Sequence, residues 1–414
     1  MKYGCIGASL AHSFSPEIHA MIGRYDYGLQ ELRESELAAF LAARDFQGIN
    51  VTIPYKQAVI PYLDHLSETA AAIGAVNTVV NRGGELWGYN TDYAGLCALI
   101  RHIGLDLTGQ KVLILGTGGT SRTAAAAAKA LGAREILPVS RTAKDGAVLY
   151  ETAIRLHSDA DVIINTTPCG MYPHTEDCPI DPSRFDRLSG VVDVIFNPLS
   201  SRLVLSAQKP GIPASGGLYM LVAQAVAAAE LFTGTLCEDE TAELIYGRLL
   251  RQKRNLVLIG MPGSGKTSVG RKAAEILGRP FLDLDEVITS RAGRPISAIF
   301  SQDGEAAFRR MESAVVEELA AHSGLVIATG GGCVLRSDNV ENLRMNGRLV
   351  YLDRPLHDLL PTADRPLADS AEKIGRLYQS RNEIYRAAAD VTLPVCGDVY
   401  ETAAAAAVKA FCEE

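Results

Sequence analysis

Short apolar runs alternate with stretches of helical periodicity along nearly the whole chain. The runs at 111–116, 135–141 and 161–168 have the length and the branched side chains of buried strands, and turn residues bound them. This alternation predicts an α/β fold in which most strands are parallel. The pattern changes near 232–254, where a helix passes into polar and basic residues before a fresh strand starts at Asn255.

This change predicts the main domain boundary at about 252–254. A chain of 414 residues is long for one domain, and two or three are expected. We expect an α/β domain over 1–100, completed by helices of about 218–250, and a nucleotide-binding domain over 101–217. A separate α/β domain follows over 255–414.

Composition narrows the classes of partner. The net charge is −8 and the pI is about 5.6, which does not favour nucleic acid. No segment has the roughly 18 consecutive apolar residues of a membrane helix. The eight cysteines are scattered without a C-x-x-C spacing, which is typical of reduced thiols in the cytoplasm. We therefore expect a cytoplasmic protein that acts on small molecules, and its oligomeric state stays open.

A first glycine turn follows the strand at 111–116 and opens an alanine-rich helix. Unpaired N–H groups at such a helix start attract a pyrophosphate. Gly116, Gly118 and Gly119 allow the tight turn and the close approach of phosphate. Ser121 stands where the third glycine of a dinucleotide fingerprint is expected. A plain strand-to-helix turn is therefore the alternative.

The end of the next strand indicates the cofactor. NAD sites place an acidic residue there for the ribose hydroxyls, whereas this chain has Ser140, Arg141 and Thr142, with Lys144 nearby. A cation at this point suits a 2′-phosphate, so NADP(H) is predicted over NAD. The alternative is that Arg141 is a solvated surface arginine.

Polar residues gather at strand ends upstream of this fold, and such a cluster predicts a small-molecule site that faces a nicotinamide. Reduction of a ketone needs a proton on oxygen, which the ammonium of Lys56 can supply while Asp92 orients it. Ser15 is also placed to cap a helix that has Pro16 at its first position. The polar residues of this cluster are Ser13, Ser15, Asn50, Thr52, Lys56, Asn77, Asn90, Thr91 and Asp92.

Residues 1 to about 250 resemble shikimate dehydrogenase in the stretches "SFSP", "NVTIPYK", "AVNTVV", "GYNTDYAG", "GTGGTSR", "NTTPCGM" and "GGLYMLVAQA". The resemblance implies that Lys56 and Asp92 are the catalytic pair. It also implies substrate contacts from Ser13, Ser15, Thr52, Asn77 and Gln224. Phe196 stands where the family usually has tyrosine, so a phenol contact to the substrate carboxylate is missing.

A second glycine loop, "GMPGSGKTS", begins at Gly260 and fits the phosphate-cradling pattern at every fixed position. Lys266 is expected to reach the β- and γ-phosphates of ATP, and Thr267 to ligate Mg²⁺. The cradle residues are Gly263, Ser264, Gly265, Lys266 and Thr267.

Residues downstream of this loop indicate a kinase for a carboxylate substrate. Asp283 and Asp285 are two apart at a strand end, which predicts that both point to one side. Asp283 would serve Mg²⁺ and Asp285 would accept a hydroxyl proton. Arg309 and Arg381 suit a carboxylate because guanidinium binds it bidentately. Three glycines at 330–332 let backbone lie against a flat substrate.

Residues 255 to about 412 resemble shikimate kinase in "GMPGSGKTS", "FLDLD", "FRRME", "TGGG", "RPL" and "LYQSRNEIY". The resemblance implies a nucleoside-monophosphate-kinase-like fold, with Arg365 closing on the ATP phosphates from a lid that is shorter than usual. The chain also lacks the arginine expected near the adenine after "DVTLP". The implied shikimate-binding residues are Asp285, Arg309, Gly331, Gly332 and Arg381.

The two loops together predict consecutive reactions. The first half would reduce 3-dehydroshikimate to shikimate with NADPH, and the second would phosphorylate shikimate with MgATP. Two alternatives stay open. One half could serve only as a regulatory nucleotide-binding module, or the first half could prefer quinate and NAD.

Overall fold

The structure of the protein is a computed structural model that describes residues 1–10, 13–143, 146–359, 370–397 and 400–413. The chain divides into two compact units, Met1–Leu249 and Leu250–Glu414. Each unit has its own sheets and buried apolar clusters. Within the described residues, no helix combines the length and the apolar character that a membrane span requires.

The first unit begins with a six-stranded sheet in the order β2-β1-β3-β5-β6-β4. Its apolar strand residues, among them Ile6, Ile49 and Val79, are buried against the flanking helices. Its elements are β1 Tyr3–Gly7, α1 Ser15–Ile22, β2 Tyr27–Glu31, α2 Glu34–Ala43, β3 Gly48–Val51, a 3-10 turn Ile60–Tyr62, β4 His65–Leu66, α3 Glu68–Ile73, β5 Thr78–Arg82, β6 Glu85–Tyr89 and α4 Thr91–His102.

One hairpin interrupts the otherwise parallel pairing of this sheet. Strands β5 and β6 run antiparallel, with Arg82 opposite Glu85. The two residues between them, Gly83 and Gly84, both have positive φ, at 63° and 97°. A two-residue hairpin loop requires that conformation at both positions, which glycine adopts without steric cost. Strand β5 is also antiparallel to its other neighbour, β3, so β6 runs in the same direction as β3.

A second six-stranded sheet, in the order β12-β11-β10-β7-β8-β9, is parallel throughout. Its central strand β7 is buried along its whole length. The elements are β7 Lys111–Leu115, α5 Gly119–Ala130, β8 Glu135–Ser140, β9 Val148–Leu149, α6 Tyr150–Leu156, β10 Val162–Asn165, a 3-10 turn Pro182–Arg184, β11 Gly190–Asp193, α7 Arg202–Gln208, β12 Ala214–Ser215, α8 Leu218–Thr233 and α9 Thr241–Lys253.

Helix α8 returns to the first sheet and lies against α4. Its Phe232 packs with Val80 of β5, and a Cβ at Gly95 of α4 would lie 2.6 Å from the carbonyl oxygen of Met220. This close approach places Gln224 of α8 beside the carboxyl ends of the first sheet, where the predicted substrate residues lie.

The second unit contains a five-stranded parallel sheet in the order β14-β15-β13-β16-β17. Helix α12 changes direction at Gly304, where φ is 82°. The elements are β13 Asn255–Ile259, α10 Lys266–Leu277, β14 Phe281–Asp283, α11 Leu284–Ala292, α12 Ile296–Ala320, β15 Val326–Ala328, a 3-10 turn Cys333–Leu335, α13 Ser337–Asn346, β16 Gly347–Asp353, a 3-10 turn Leu356–Asp358, α14 Ala371–Ala388, β17 Val391–Pro394 and α15 Tyr400–Cys412. The predicted α/β fold class with mostly parallel strands is confirmed.

Candidate active sites

Lys56 and Asp92 form a close ion pair in the first unit. The Lys56 ammonium donates to the Asp92 carboxylate at 2.6 Å, and the two side chains are 22% and 13% exposed. Lys56 lies in the turn after β3, and Asp92 lies in the first turn of α4. The Asn90 side chain caps α4 by accepting from the amide of Tyr93 at 3.1 Å. The cap fixes the helix start and, with it, the position of Asp92.

Asn77 and Gln224, predicted to contact substrate, come together although 147 residues separate them in sequence. The Asn77 amide donates to Gln224 Oε1 at 3.5 Å and to the Thr91 hydroxyl at 3.0 Å. The Asn77 Oδ1 atom accepts from the backbone N–H of Thr91 at 2.6 Å. Asn77 and Gln224 are both buried, so this amide pair is held rigidly.

Helix α1 begins one residue earlier than predicted, within the segment from Ser13 to Ser15. Phe14, not Ser15, occupies the N-cap position, and Ser15 and Pro16 are the first two helical residues. The predicted helix cap by Ser15 is therefore wrong. Phe14 already has a helical φ of −84°, so the helix begins one residue earlier and the Ser15 hydroxyl is available for other contacts. The Ser15 amide donates to the Ser13 hydroxyl at 3.3 Å.

Two further predicted positions border this segment. The Phe196 ring lies 5.3 Å from the Phe14 ring between centroids, in a tilted arrangement. Phe196 thus lies beside the two serines, as expected for a residue near a substrate carboxylate. Thr52 packs over β1, because a Cβ at Gly7 would lie 2.6 Å from its methyl group.

The first glycine loop leaves room for a ligand in front of helix α5. Gly116 has a φ of 110°, and a Cβ there would lie 2.8 Å from the Thr166 hydroxyl. A Cβ at Gly118 or Gly119 would meet nothing within 4 Å. The Ser121 hydroxyl donates to the Gly116 carbonyl at 2.7 Å. The residue in place of the expected third glycine therefore closes the loop, and the open space fits a pyrophosphate.

The residues at the end of β8 lie at the surface. Arg141 and Thr142 are exposed, and the Thr142 amide donates to the Ser140 hydroxyl at 3.3 Å. Burial raises the pKa of the Tyr150 phenol, and the positive charge of Arg141 opposes that rise. Arg141 therefore lies near Tyr150, at the edge of the same sheet. Lys144 lies outside the described residues.

Sequence reasoning missed a buried pair that supports two loops of this domain. Asp193 ends β11, and its carboxylate accepts from Asn165 at 3.0 Å, from the Ile195 amide at 3.0 Å and from the Ser201 hydroxyl at 2.6 Å. Burial raises the pKa of Asp193 to about 6. Asn165 lies opposite Asp193 in the strand register and holds Thr167 by two hydrogen bonds. Only pairing of the two strands brings these side chains together.

In the second unit, the loop from Gly260 to Thr267 has the form of a phosphate cradle. Gly260, Gly263 and Gly265 have φ values of 149°, 83° and 91°, which other residues rarely adopt. Lys266 is buried, and its ammonium donates to the carbonyl oxygens of Gly260 and Met261, both at 2.9 Å. The loop therefore holds its own cation before any phosphate binds. Ser264 of the cradle is fully buried.

Asp283 connects this loop to the acceptor side of the site. The Thr267 hydroxyl donates to Asp283 Oδ2 at 2.6 Å, and this hydroxyl–carboxylate pair is the donor set that a Mg²⁺ shell uses. The strand ends at Asp283, which caps α11 by accepting from the amide of Asp285 at 2.9 Å. The expectation that strand alternation sets the direction of both carboxylates is therefore wrong, because Asp285 is already helical.

Asp285 and Arg309 border the glycine segment after β15. A Cβ at Gly330 would lie 2.9 Å from Asp285 Oδ1 and 2.7 Å from Glu312 Oε1, and a Cβ at Gly332 would collide with the Arg309 guanidinium. Arg309 donates to Glu312 at 2.8 Å. Burial raises the pKa of Glu312, and the charge of Arg309 opposes that rise. Glu312 is therefore a further member of this site, three residues after Arg309 on the same helix.

Helix α14 contacts the same glycine segment from the other side. Arg381 donates to the Gly331 carbonyl at 3.1 Å, and the Tyr385 hydroxyl donates to the same oxygen. Asp285, Arg309 and Arg381 thus all lie around 330–332, as a pocket for one small acid requires. Arg365 and its lid stretch lie outside the described residues.

Comparison with known proteins gives the same division of the chain. The family model described as "Shikimate dehydrogenase substrate binding domain" matches residues 5–79, and the one described as "Shikimate kinase" matches residues 262–410. A protein named "Shikimate dehydrogenase (NADP(+))" from Clostridium perfringens SM101 is 34% identical over 265 residues, covering 60% of this chain and 97% of its own. The one from Moorella thermoacetica is 35% identical over 287 residues, covering 63% and 96%.

Solved structures match the first unit. Shikimate 5-dehydrogenase from Thermus thermophilus, in complex with NADP(H) and shikimate, is 30% identical with a TM-score of 0.55, covering 60% of this chain and 99% of its own. A chorismate mutase/shikimate 5-dehydrogenase fusion protein from Clostridium acetobutylicum is 33% identical with a TM-score of 0.57, covering 60% and 96%. The chain belongs to the shikimate dehydrogenase family over its N-terminal part and carries a shikimate kinase domain at 262–410, which makes it a bifunctional shikimate-pathway enzyme.

Proposed function

We propose that the first unit reduces 3-dehydroshikimate to shikimate with NADPH, and that the second phosphorylates the shikimate 3-hydroxyl with MgATP. The observation that carries this proposal is that one chain contains two preformed polar sets. One is the Lys56–Asp92 pair beside an open glycine loop, and the other is Lys266 with the Thr267–Asp283 pair. The names of the curated relatives and the ligands of the Thermus thermophilus structure support NADP(H) and shikimate.

In the reduction, bound NADPH supplies the hydride to the carbonyl carbon. The Lys56 ammonium donates a proton to the carbonyl oxygen, and Asp92 orients the ammonium and holds its charge. Asn77 and Gln224 present amide groups to the substrate hydroxyls, and Ser13 and Ser15 present hydroxyls to its carboxylate. The open space at Gly118 and Gly119 fits the cofactor pyrophosphate, with Arg141 and its neighbours Ser140 and Thr142 at the 2′-phosphate.

In the phosphorylation, Asp285 accepts the proton of the 3-hydroxyl as the oxygen attacks the γ-phosphorus of ATP. Lys266 would contact phosphate oxygens of ATP, and Thr267 and Asp283 would hold Mg²⁺, which would neutralise phosphate charge. Arg309 and Arg381 bind the substrate carboxylate, while Gly331 and Gly332 allow the ring to lie against backbone. The protein thus supplies position and positive charge, which are what phosphoryl transfer needs.

The two steps act on one oxygen atom of the substrate. The ketone oxygen of 3-dehydroshikimate takes a proton in the first reaction and becomes the nucleophile of the second. 3-Dehydroshikimate has no hydroxyl at this carbon, so it cannot be phosphorylated there before reduction. The order of the two reactions is therefore fixed by chemistry.

This order gives the test. With the purified chain and MgATP, shikimate should yield ADP without NADPH, whereas 3-dehydroshikimate should yield ADP only when NADPH is added. NADPH oxidised and ADP formed should then agree one to one. ADP formation from 3-dehydroshikimate without NADPH, or no ADP from shikimate, would overturn the two-step proposal.

One alternative is that only one unit is catalytic and the other binds nucleotide for regulation. Phe196, which replaces the expected tyrosine, is the observation in its favour for the first unit. NADPH oxidation by the parent chain with 3-dehydroshikimate distinguishes the two, because a regulatory module binds NADPH without oxidising it. The other alternative is that the first unit prefers quinate and NAD. NADH formation from quinate and NAD⁺ tests it, and the positive charge of Arg141 argues against it.

A further inference from the structure

A continuous set of polar side chains lies behind the predicted substrate residues of the first unit. We name it the Tyr27 network. Its members, in order of contact, are Ser15, Tyr27, Asn50, Thr78, Asn77 and Gln224. Ser15, Asn77 and Gln224 are predicted substrate contacts, whereas Tyr27, Asn50 and Thr78 have no role in the proposed mechanism.

Tyr27 is held firmly at one end of this network. Its ring stacks on the fully buried His19 at a centroid distance of 3.8 Å and an angle of 12°. Its hydroxyl donates to Asn50 Oδ1 at 2.7 Å. The Ser15 side chain lies within hydrogen-bonding reach of the same hydroxyl. Stacking fixes the ring and the Asn50 bond fixes the hydroxyl, so the phenol presents one constant hydrogen-bonding direction to Ser15.

The network continues from Asn50 to the amide pair. The Asn50 amide donates to the Thr78 hydroxyl at 3.1 Å, and that hydroxyl donates to Asn77 Oδ1 at 3.1 Å. The Asn77 amide then donates to Gln224. Asn50, Thr78 and Asn77 are buried, so each depends on its neighbours to satisfy its polar groups. A change at Tyr27 is thus transmitted to both ends of the substrate site.

The catalytic pair is near the same network. The Cys5 thiol lies within hydrogen-bonding reach of Tyr27, and the charges of Lys56 and Asp92 act on that thiol. Cys5 of β1 therefore lies near both Tyr27 and the ion pair. The Tyr27 phenol reaches Ser15. Position 196, where a second phenol was expected near Ser13 and Ser15, is a phenylalanine.

From these contacts we propose that Tyr27 is a positioning residue for substrate binding. Its phenol donates to Asn50 and so orients the amide chain that leads to Asn77 and Gln224. Its oxygen holds the Ser15 hydroxyl in place, and that hydroxyl turns its one hydrogen to the carboxylate when shikimate binds. It does not contact the reacting carbon or the cofactor. The inference rests on the proposed dehydrogenase function.

The test compares two phenols of the same cluster. Tyr27→Phe removes one oxygen and keeps the ring. Tyr25→Phe is the matched control, because Tyr25 also contacts His19, through its hydroxyl at 2.8 Å from Nδ1. Among the contacts of the described residues, Tyr25 has neither Ser15 nor Asn50 as a partner. In NADP⁺-dependent oxidation of shikimate, Tyr27→Phe should raise KM for shikimate about tenfold, since a buried acceptor loses its donor. It should leave KM for NADP⁺ unchanged, and kcat should change less than about threefold.

A double-mutant cycle separates positioning from general loosening. Because Tyr27 acts in part through Ser15, Tyr27→Phe should raise KM by a smaller factor in a Ser15→Ala background than in the parent chain. Additive effects, or equal KM values for Tyr27→Phe and Tyr25→Phe, would overturn the inference. Should Tyr27→Phe not fold, Asn50→Ser carries the test, because it removes the partner that orients the phenol and should raise the same KM. A parent chain without dehydrogenase activity would instead refute the proposed function.

Discussion

The two glycine loops solve the problem of binding phosphate in different ways. The loop at 116–122 offers backbone and open space at Gly118 and Gly119, and its one cation, Arg122, follows in helix α5 with its guanidinium near Gly74. The loop at 260–267 contains a buried lysine already bonded to its own carbonyl oxygens, and a threonine bonded to an aspartate. One loop is open around its glycines, whereas the other is prearranged around a buried cation.

The difference corresponds to what each loop must do during the reaction. In the proposed reduction, a dinucleotide pyrophosphate is only held, so helix N–H groups are sufficient, and the proposed reactive charges are Lys56 and Asp92. A transferred phosphoryl group gathers charge as it reacts, so cation and metal ligands must lie in the loop itself. Charge in each unit is placed where bonds change.

The sharpest way to break this comparison is to remove the cation of the second loop. Lys266→Met should lower shikimate-dependent ATP turnover about 10³-fold or more, because the variant loses the ammonium that is expected to contact the transferred phosphate. Lys272→Met, on the exposed face of the same helix in a pair with Glu275, is the matched control. NADPH oxidation should be normal in both. Substantial ATP turnover by Lys266→Met would refute the role of the buried lysine.

The corresponding test in the first unit removes the proton donor. Lys56→Ala should lower kcat for 3-dehydroshikimate reduction by roughly 10²- to 10⁴-fold, the usual contribution of a general acid, with KM for NADPH unchanged. Lys129→Ala, at the exposed end of α5, is the control. A normal kcat in Lys56→Ala would contradict the assignment of the ion pair to catalysis.

A further cation for the cofactor of the first unit is predicted at the end of the next strand. Arg141→Ala should raise KM for NADPH about 30-fold, the magnitude of a lost charged hydrogen bond, and should leave KM for NADH unchanged. Arg134→Ala, just before the other end of β8, removes an exposed arginine without this effect. Equal losses with NADPH and NADH would show that Arg141 does not recognise the 2′-phosphate.

A glycine-to-alanine substitution should affect stability differently in the two loops. Gly118 has a φ of −83° and free space, so Gly118→Ala should keep its free energy of unfolding while KM for NADPH rises about tenfold from lost phosphate approach. Gly265 has a φ of 91°, and a Cβ there would lie 2.9 Å from the Tyr400 ring. Gly265→Ala should cost about 1–3 kcal/mol of unfolding free energy, measured by urea denaturation. Equal stability of the two variants would contradict the contrast.

The smallest expected effect is an increase in apparent affinity for shikimate. Phe196→Tyr restores a phenol beside Phe14 and the two serines, and should lower KM for shikimate about threefold through one additional hydrogen bond. The kinase reaction of the same chain is the internal control. An unchanged or higher KM would mean that the phenol does not reach the substrate carboxylate.

Sequence periodicity was sufficient to predict central strands such as β7, because buried parallel strands are nearly continuous apolar runs, as at 112–115. It was also sufficient for the loops, whose glycines and lysine have fixed spacing. It failed for Asp285, which was predicted on the same strand as Asp283. The strand ends at Asp283, and Asp285 lies in helix α11. The end of that strand depends on Asp283 capping α11, which alternation does not encode.

Residues that act through other residues were not predictable in this way. Tyr27, Glu312 and Tyr385 gain their meaning from partners that are distant in sequence, such as the 54 residues between Tyr385 and Gly331. No local pattern distinguishes them from ordinary core aromatic or helix-face residues. Their roles follow only from strand order and helix packing.

The Tyr27 network has a consequence for how related sequences can diverge. Each buried member satisfies a polar group of the next, so a single replacement leaves an unpaired donor or acceptor, whereas a paired replacement can restore the bond. We therefore expect positions 27, 50 and 78 to change together across relatives, as correlated substitutions, and to drift more slowly than exposed positions of the same strands. The residues of the hydrogen-bonded set are then expected to be retained or replaced together and not one at a time.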